Sequence, residues 1–456
     1  MPVPKAYFGT DGIRGIAGEP PLDPASVYAV GLALGDDLAS RGGGAIVLGQ
    51  DTRESSSWIA ATLAAGAADR GVAAVSAGVI TTPAIAYLTR AGDFTAGVMI
   101  SASHNPYRDN GIKIFGHSGY KLPDAEEAEI EARLGRYLAA GVTPRRQPLT
   151  AAPELRERYV EFLAGRLVGG DGGAAAGDGL ARLRVVVDCG NGAASGVAAD
   201  VLGRLGIQPV LMADAPDGRN INAHCGALYP EAMAARVAAL GADAGFALDG
   251  DADRVMMADS AGRIVDGDRV LFLAARDMQA QCRLLPPRVV GTVMSNLGLE
   301  LALRPLGIAL DRAAVGDKYV LEAMLANGAV LGGEPSGHVI FRHDATTGDG
   351  LLTALRVLEV MARQRASLAA LTAAFQALPQ KLVNVRVREK VPLPDLPALQ
   401  NAITAAERHF GAKGRVLVRY SGTEKLARIM VEAESQADVD HHSQAIAAAL
   451  RAAIGE

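Results

Sequence analysis

Three stretches of the chain repeat one alternation of apolar and polar residues. "AIVLGQDTR", opening at Ala45, is a short apolar run that closes in a polar turn, followed by "ESSSWIAATLAAGAADRG" and "VAAVSAGV". "LRVVVDCGNG" at Leu183 leads into "AASGVAADVLGRLG" and "IQPVLMA", and "PRVVGTVMSN" at Pro287 into "LGLELALRPLG" and "IALDRAAV". Each predicts a strand, a turn, an Ala/Leu-rich helix ending at Gly71, Gly206 or Gly307, and a second strand. A glycine suits the left-handed position that ends a helix. Strand-helix-strand units imply parallel pairing and α/β layers. They start about 140 and then just over 100 residues apart, which fits three similar domains better than one long sheet.

From about residue 380 the pattern changes. "KLVNVRVREK" alternates like a half-exposed strand. A helix ("LPALQNAITAAERHFG"), a hairpin ("RVLVRYSG" with "LARIMVEAE") and a terminal helix ("HHSQAIAAALRAAI") complete a smaller α+β domain. Between the helical "PELRERYVEFLAGRL" and the second unit, "VGGDGGAAAGDG" reads as a loop.

The bulk numbers narrow the class. The 45 lysines and arginines against 50 aspartates and glutamates are too balanced for a nucleic-acid footprint. Cys189, Cys225 and Cys282 are odd in number and widely spaced, so they read as buried thiols of a reducing compartment. "MPVPKAYFGTDGIRG" reaches glycines and charges too early for a signal peptide. No apolar run approaches the ~18 residues that span a bilayer. The expectation is a cytoplasmic protein without nucleic-acid or membrane partners.

Chemistry concentrates in the polar loops. In "ALDGDADR", Asp249, Asp251 and Asp253 follow an apolar strand end at alternate positions, which share one face in extended chain. Three like-charge pairs near 4 Å cost roughly 4 kcal/mol each at an effective dielectric of about 20. Either the carboxylates splay into water or a hard cation such as magnesium holds them. A calcium EF-hand fails, because Arg254 and Ser260 occupy the positions of its invariant glycine and its glutamate. "SASHNPYRDNGIK" sets Ser101, Ser103, His104 and Lys113 after the apolar "TAGVMI". Ser103 and His104 are adjacent, and neighbouring side chains in extended chain point apart, which counts against a serine-hydrolase pair. "VRYSGTEKLAR" offers Arg419, Ser421, Gly422, Thr423 and Arg428, a set suited to phosphate oxygens, although by itself the stretch fits an ordinary hairpin turn with solvated arginines slightly better. "GGEPSGH" adds Glu334, Ser336 and His338, and "FGTDGIRG" adds Arg14. There is no G-x-x-x-x-G-K-[ST], hence no P-loop.

Taken together, "FGTDGIRG", "SASHNPYRDNGIK", "DGDADR", "GGEPSGHVI", "TTGDG" and "RYSGTE" resemble, in order and nearly end to end, the α-D-phosphohexomutases. Within them the chain is most similar to the branch acting on glucosamine phosphates. The resemblance implies an α/β, four-domain phosphohexomutase architecture: three related α/β domains plus a smaller C-terminal α+β domain around a central cleft. The expected boundaries are 1–152, 153–256, 257–374 and 375–456. It implies a phosphoryl group on Ser103, and one magnesium ion held by Asp249, Asp251, Asp253 and a phosphoserine oxygen, with Arg254 beside that phosphate. Arg14, His104 and Lys113 would serve proton transfer and charge stabilisation. Glu334, Ser336 and His338 would hold the sugar, and Arg419, Ser421, Gly422, Thr423 and Arg428 its remote phosphate.

The implied reaction interconverts glucosamine 6-phosphate and glucosamine 1-phosphate. A sugar 1,6-bisphosphate serves as intermediate and activator, sugar phosphates are the partners, and a homodimer is left open. Lys425, where relatives usually have proline, and Pro335 inside the sugar loop depart from the family pattern and bear on fine specificity. A phosphomannomutase or phosphoglucomutase of the same family is the nearest rival. A non-catalytic sugar-phosphate binder would need no acceptor serine, and a phosphatase would need water at the phosphoserine.

Overall fold

The computed structural model describes residues 7–9, 11–168, 179–421 and 424–456, so most of the glycine-rich "VGGDGGAAAGDG" lies outside the described residues. The chain divides into two compact units, Met1–Met294 with Asp311–Ala373, and Ser295–Leu310 with Ala374–Glu456.

The first unit is built on three sheets. Seven strands run in the order Phe8–Gly9, Gly12–Ile16, Asp109–Gly116, Ala96–Ile100, Ala45–Gln50, Ala73–Val79, Thr150–Ala151. Ala45–Gln50 pairs parallel with Ala73–Val79, as the first repeat predicts, and also with Ala96–Ile100. The helix Pro24–Ser40 lies on Ser56–Ala68, and they approach closely because two glycines face the contact. A β-carbon on Gly31 would meet the Leu63 carbonyl oxygen at 2.1 Å, and one on Gly66 the Tyr28 oxygen at 2.3 Å. The second sheet runs Ile264–Val265, Val255–Asp259, Ala244–Leu248, Val185–Asp188, Val210–Met212, and the third Ala309–Ala313, Arg288–Thr292, Leu331–Gly333, Val339–Phe341. Gly71, Gly206 and Gly307 have φ of +76°, +74° and +70°, the left-handed conformation their places after helices require.

One topological feature recurs in all three sheets and places the site. A buried strand parallel to its predecessor (Ala96–Ile100, Ala244–Leu248, Leu331–Gly333) turns through a loop into an antiparallel neighbour (Asp109–Gly116, Val255–Asp259, Val339–Phe341). The loop of Ser103, that of the aspartates and that of Glu334 are these three turns.

In the second unit, Leu426–Ala433 lies between Gln380–Arg386 and Gly414–Tyr420, antiparallel to both. Helices Pro397–Phe410 and Gln436–Ile454 share a core with the sheet that includes Val385, Leu399, Phe410, Ile429 and Leu450. The expected hairpin and α+β arrangement are present. Cys189 and Cys225 are buried, but Cys282 is exposed, because it lies in the turn beyond the helix Gly267–Ala280. Among the described residues no helix is long and apolar enough to cross a membrane.

Candidate active site

Ser103 is completely buried and has φ of +52°. Its hydroxyl donates to Asp249 Oδ2 at 2.6 Å, and its N–H donates to Ser101 Oγ at 2.9 Å. The left-handed bend also sets His104 Nδ1 3.3 Å from Ser103 Oγ, so the extended-chain expectation that these side chains diverge does not hold. They still do not form a nucleophile–base pair. Arg254 Nη1 lies 3.1 Å from the same imidazole nitrogen, and a guanidinium can only donate. Burial first, then Arg254 and Arg14, push His104 down to about 4.

Asp249, Asp251 and Asp253 are buried, with one oxygen of each within 4.8 Å of the others. They converge through a tight turn, not along extended chain. Ala252 has φ of +57°, its N–H donates to the Asp249 carbonyl at 3.0 Å, and Arg254 N–H donates to Asp249 Oδ1 at 3.1 Å. Lys113 Nζ, also buried, stands 2.9 Å from Asp251, 3.3 Å from Asp253 and 3.1 Å from Asp11. Thr82 Oγ1 donates to Asp251 Oδ2 at 2.5 Å. Burial would raise Asp253, but Lys113, His338 and Arg254 hold it well below the usual carboxylate range. Burial, Asp253 and Asp251 push Asp249 well above that range. Asp251 Oδ1 and Asp253 Oδ1 are buried without a hydrogen-bond partner. Buried anionic oxygens left this way call for a cation, and an all-oxygen set fits a hard one.

A cavity of about 380 Å³ opens beside these loops, lined by Asp11, Arg14, His104, Arg254, Gly316 and Glu334 among others. Arg14 pairs with Asp11, and the Nε atoms of Arg14 and Arg254 are buried without hydrogen-bond partners, Arg254 Nε standing 3.7 Å from Asp253 Oδ1. Glu334 Oε1 accepts the Gly316 N–H at 2.9 Å, which leaves Oε2 for a ligand. The other two residues of the expected sugar loop differ in burial. Ser336 is exposed. His338 is buried, its Nε2 accepts the Gly348 N–H at 3.0 Å, and its Nδ1 is 3.7 Å from Asp253.

In the second unit, Arg419 and Arg428 are direct cross-strand partners. Like charges opposite one another destabilise a sheet. Burial first, then Arg428, lower the pKa of Arg419, and Arg428 Nε is buried without a partner. Ser421 is buried and donates its N–H to the Leu426 carbonyl at 2.7 Å, while Gly422 and Thr423 lie outside the described residues.

Family models match along most of the chain. Those for Phosphoglucomutase/phosphomannomutase alpha/beta/alpha domains I, II and III match residues 5–139, 157–262 and 266–378, and the C-terminal domain model matches 382–449. The chain belongs to this family. A phosphoglucosamine mutase of Koribacter versatilis is 52% identical over 99% of this chain and 98% of its own. A phosphoglucomutase/phosphomannomutase family protein from Burkholderia thailandensis has a similar structure, with a TM-score of 0.78, 24% identity and coverage of 99% and 98% of the two chains. The N-acetylphosphoglucosamine mutase of Aspergillus fumigatus, solved in complex with GlcNAc-6P and magnesium, matches at a TM-score of 0.63, 20% identity and coverage of 98% and 95%.

Several residues of this phosphoglucomutase/phosphomannomutase site carry no functional signal in the sequence. Lys121 forms an ion pair with Asp11, the aspartate of "FGTDGIRG" that also pairs with Lys113. Thr82 begins a helix and reads only as a capping-region hydroxyl. Arg53 belongs to the polar turn of the first repeat, where its burial against the carbonyl oxygens of Ser103, Asn105 and Pro106 could not be foreseen.

Proposed function

We propose that the chain interconverts glucosamine 6-phosphate and glucosamine 1-phosphate by way of a phosphoserine at position 103. The observation that carries this reading is the buried Ser103 hydroxyl 2.6 Å from one member of a buried carboxylate triad with two oxygens that lack hydrogen-bond partners. Asp249, Asp251 and Asp253, with a phosphoserine oxygen, would hold magnesium, which supplies neutralisation of phosphoryl charge when bound. The substrate hydroxyl attacks phosphorus, the bond from phosphorus to Ser103 Oγ breaks, the hydroxyl proton ends on Ser103 Oγ, and a sugar bisphosphate forms. After the bisphosphate turns over, Ser103 Oγ takes its other phosphoryl group and the isomeric monophosphate leaves. Transfer of this kind depends on positioning and charge more than on covalent chemistry. Arg14 and Arg254 bring positive charge to the cavity, and Lys113 is held charged against Asp11, Asp251 and Asp253. His104, held neutral, can exchange a proton through its remaining ring nitrogen. Arg419, Ser421 and Arg428, with Gly422 and Thr423, take the remote phosphate; an anion there would relieve the facing guanidiniums. Domains at 1–152, 153–256, 257–374 and 375–456, a bisphosphate activator and a cytoplasmic location belong to the same reading.

The test is turnover of glucosamine, mannose and glucose phosphates side by side, with intact-mass and peptide mapping of Ser103. Glucosamine phosphates are expected to give the highest kcat/KM, and Ser103→Ala is expected to abolish turnover with the fold retained. A higher kcat/KM on mannose 1-phosphate would remove the substrate assignment, and phosphate only on Ser101 would remove the mechanism. Glu334→Gln keeps the acceptor for Gly316 and removes the charge. A charge-assisted hydrogen bond is worth roughly 1.5–3 kcal/mol, so preference for the amino sugar should fall about tenfold or more.

A further inference from the structure

Two side chains from distant parts of the first unit grip the backbone of the serine loop. Arg53 is fully buried, and its Nη2 donates to the carbonyl oxygens of Ser103 and Asn105, both at 2.9 Å. Its Nη1 donates to Pro106 O at 2.8 Å, and Nε to Asp51 Oδ2 at 2.9 Å. Asn222 reaches the same two oxygens: its Nδ2 donates to Ser103 O at 2.9 Å and to Asn105 O at 3.2 Å. Each carbonyl thus accepts one hydrogen bond from each side chain, and both amide protons of Asn222 are used. Asn222 itself sits at φ of +56°, with its N–H bound to Gly190 O at 2.9 Å.

A serine at positive φ is an uncommon conformer that persists where its surroundings over-determine it. We infer that Asn222, acting with Arg53, is a positioning residue for phosphoryl transfer: it fixes the Ser103 carbonyl so that Oγ is aimed at Asp249. Asn222 touches no reacting atom in this role. It ties the orientation of the serine to the Asn220–Cys225 loop, so displacement of that loop disturbs phosphoryl loading. The inference rests on the phosphoserine reading above.

Two variants remove the donors while preserving the backbone. Asn222→Gly keeps the left-handed conformation without a side chain, and Asn222→Asp keeps the shape but offers no N–H. Each is mixed, as full-length protein with magnesium, with glucose 1,6-bisphosphate. The bond from phosphorus to the sugar oxygen breaks, one to Ser103 Oγ forms, and the serine proton goes to the leaving oxygen. Loading is followed by intact mass, and kcat and KM are measured on the monophosphate. Both variants are expected to fold, to load Ser103 and turn over about 10- to 100-fold more slowly, and to keep KM close to wild type. Loading at the wild-type rate in either folded variant, or a rise in KM alone, overturns the inference. Loss of the fold in both overturns it in favour of a purely structural role. Failure of the wild type to load Ser103 refutes the phosphoserine reading itself, and is separable from these outcomes because it appears without mutation.

Discussion

Gly250 separates Asp249 from Asp251, and its substitution by alanine tests whether the serine and metal loops must touch. Its φ lies outside the left-handed region, so the demand is for space. A β-carbon there would lie 2.5 Å from the Ser103 carbonyl oxygen, 2.8 Å from Asn222 Nδ2 and 2.9 Å from Ile221 Cδ1. An easy carbon–oxygen contact begins near 3.3 Å, so the serine carbonyl must retreat by about 0.8 Å. The same retreat stretches its hydrogen bonds to Arg53 and Asn222. Overpacking of this kind costs about 1–3 kcal/mol. A displacement near 1 Å of a reacting group costs on the order of 100-fold in rate. Gly250→Ala should therefore lose roughly two orders of magnitude in kcat with a modest drop in thermal stability. Gly135→Ala is the control: it lies inside the helix Asp124–Ala140, and its β-carbon would meet nothing within 4 Å. That change should stabilise by about 0.5–1 kcal/mol and leave turnover alone. Wild-type kcat in a folded Gly250→Ala would refute the argument that the two loops are held in contact.

Without metal, Asp249 keeps its proton to higher pH in the folded chain than in the unfolded one. Its contribution to metal-free stability is therefore present below the unfolded pKa of about 3.9 and falls away as pH rises toward the folded value. Magnesium must displace that proton, so its affinity should climb with pH; calorimetry in two buffers of different ionisation enthalpy should show proton release, and none would contradict the assignment. Chelation should stop turnover. Arg428→Ala relieves the facing guanidiniums, so in anion-free buffer it should not lower stability, while KM for the sugar phosphate should rise about tenfold or more; an unchanged KM would rule out a phosphate role.

What could be read from the chain was local. The repeated strand, helix and glycine pattern predicts the parallel pairs, because periodicity and a left-handed glycine are properties of a few successive residues. Three aspartates within five positions announce a charge problem wherever they sit. The turn that solves it was not legible, since it depends on Ala252 adopting positive φ. Arg53, Asn222 and Thr82 were missed for a different reason. Their partners lie 50, 119 and 169 residues away, and nothing in an arginine, an asparagine or a threonine says which distant oxygen it will meet. The neighbours of His338, the Gly348 N–H and the Asp253 carboxylate, were hidden for the same reason.

The backbone of the aspartate turn is completed by segments that come both before and long after it in the chain. Thr82 N–H donates to Asp251 O, Gly350 N–H to Ala252 O, and Val255 N–H to Gly337 O, at 2.9, 2.9 and 3.1 Å. During synthesis, then, the acidic turn emerges roughly a hundred residues before its last partner, which at ribosomal rates of about 5–20 residues per second is a delay of seconds. Throughout that interval the growing chain carries the aspartates without Gly337 and Gly350. Catalytic competence should arrive late and all at once, and a nascent chain stalled before Gly350 should be inactive however well its first domain has folded.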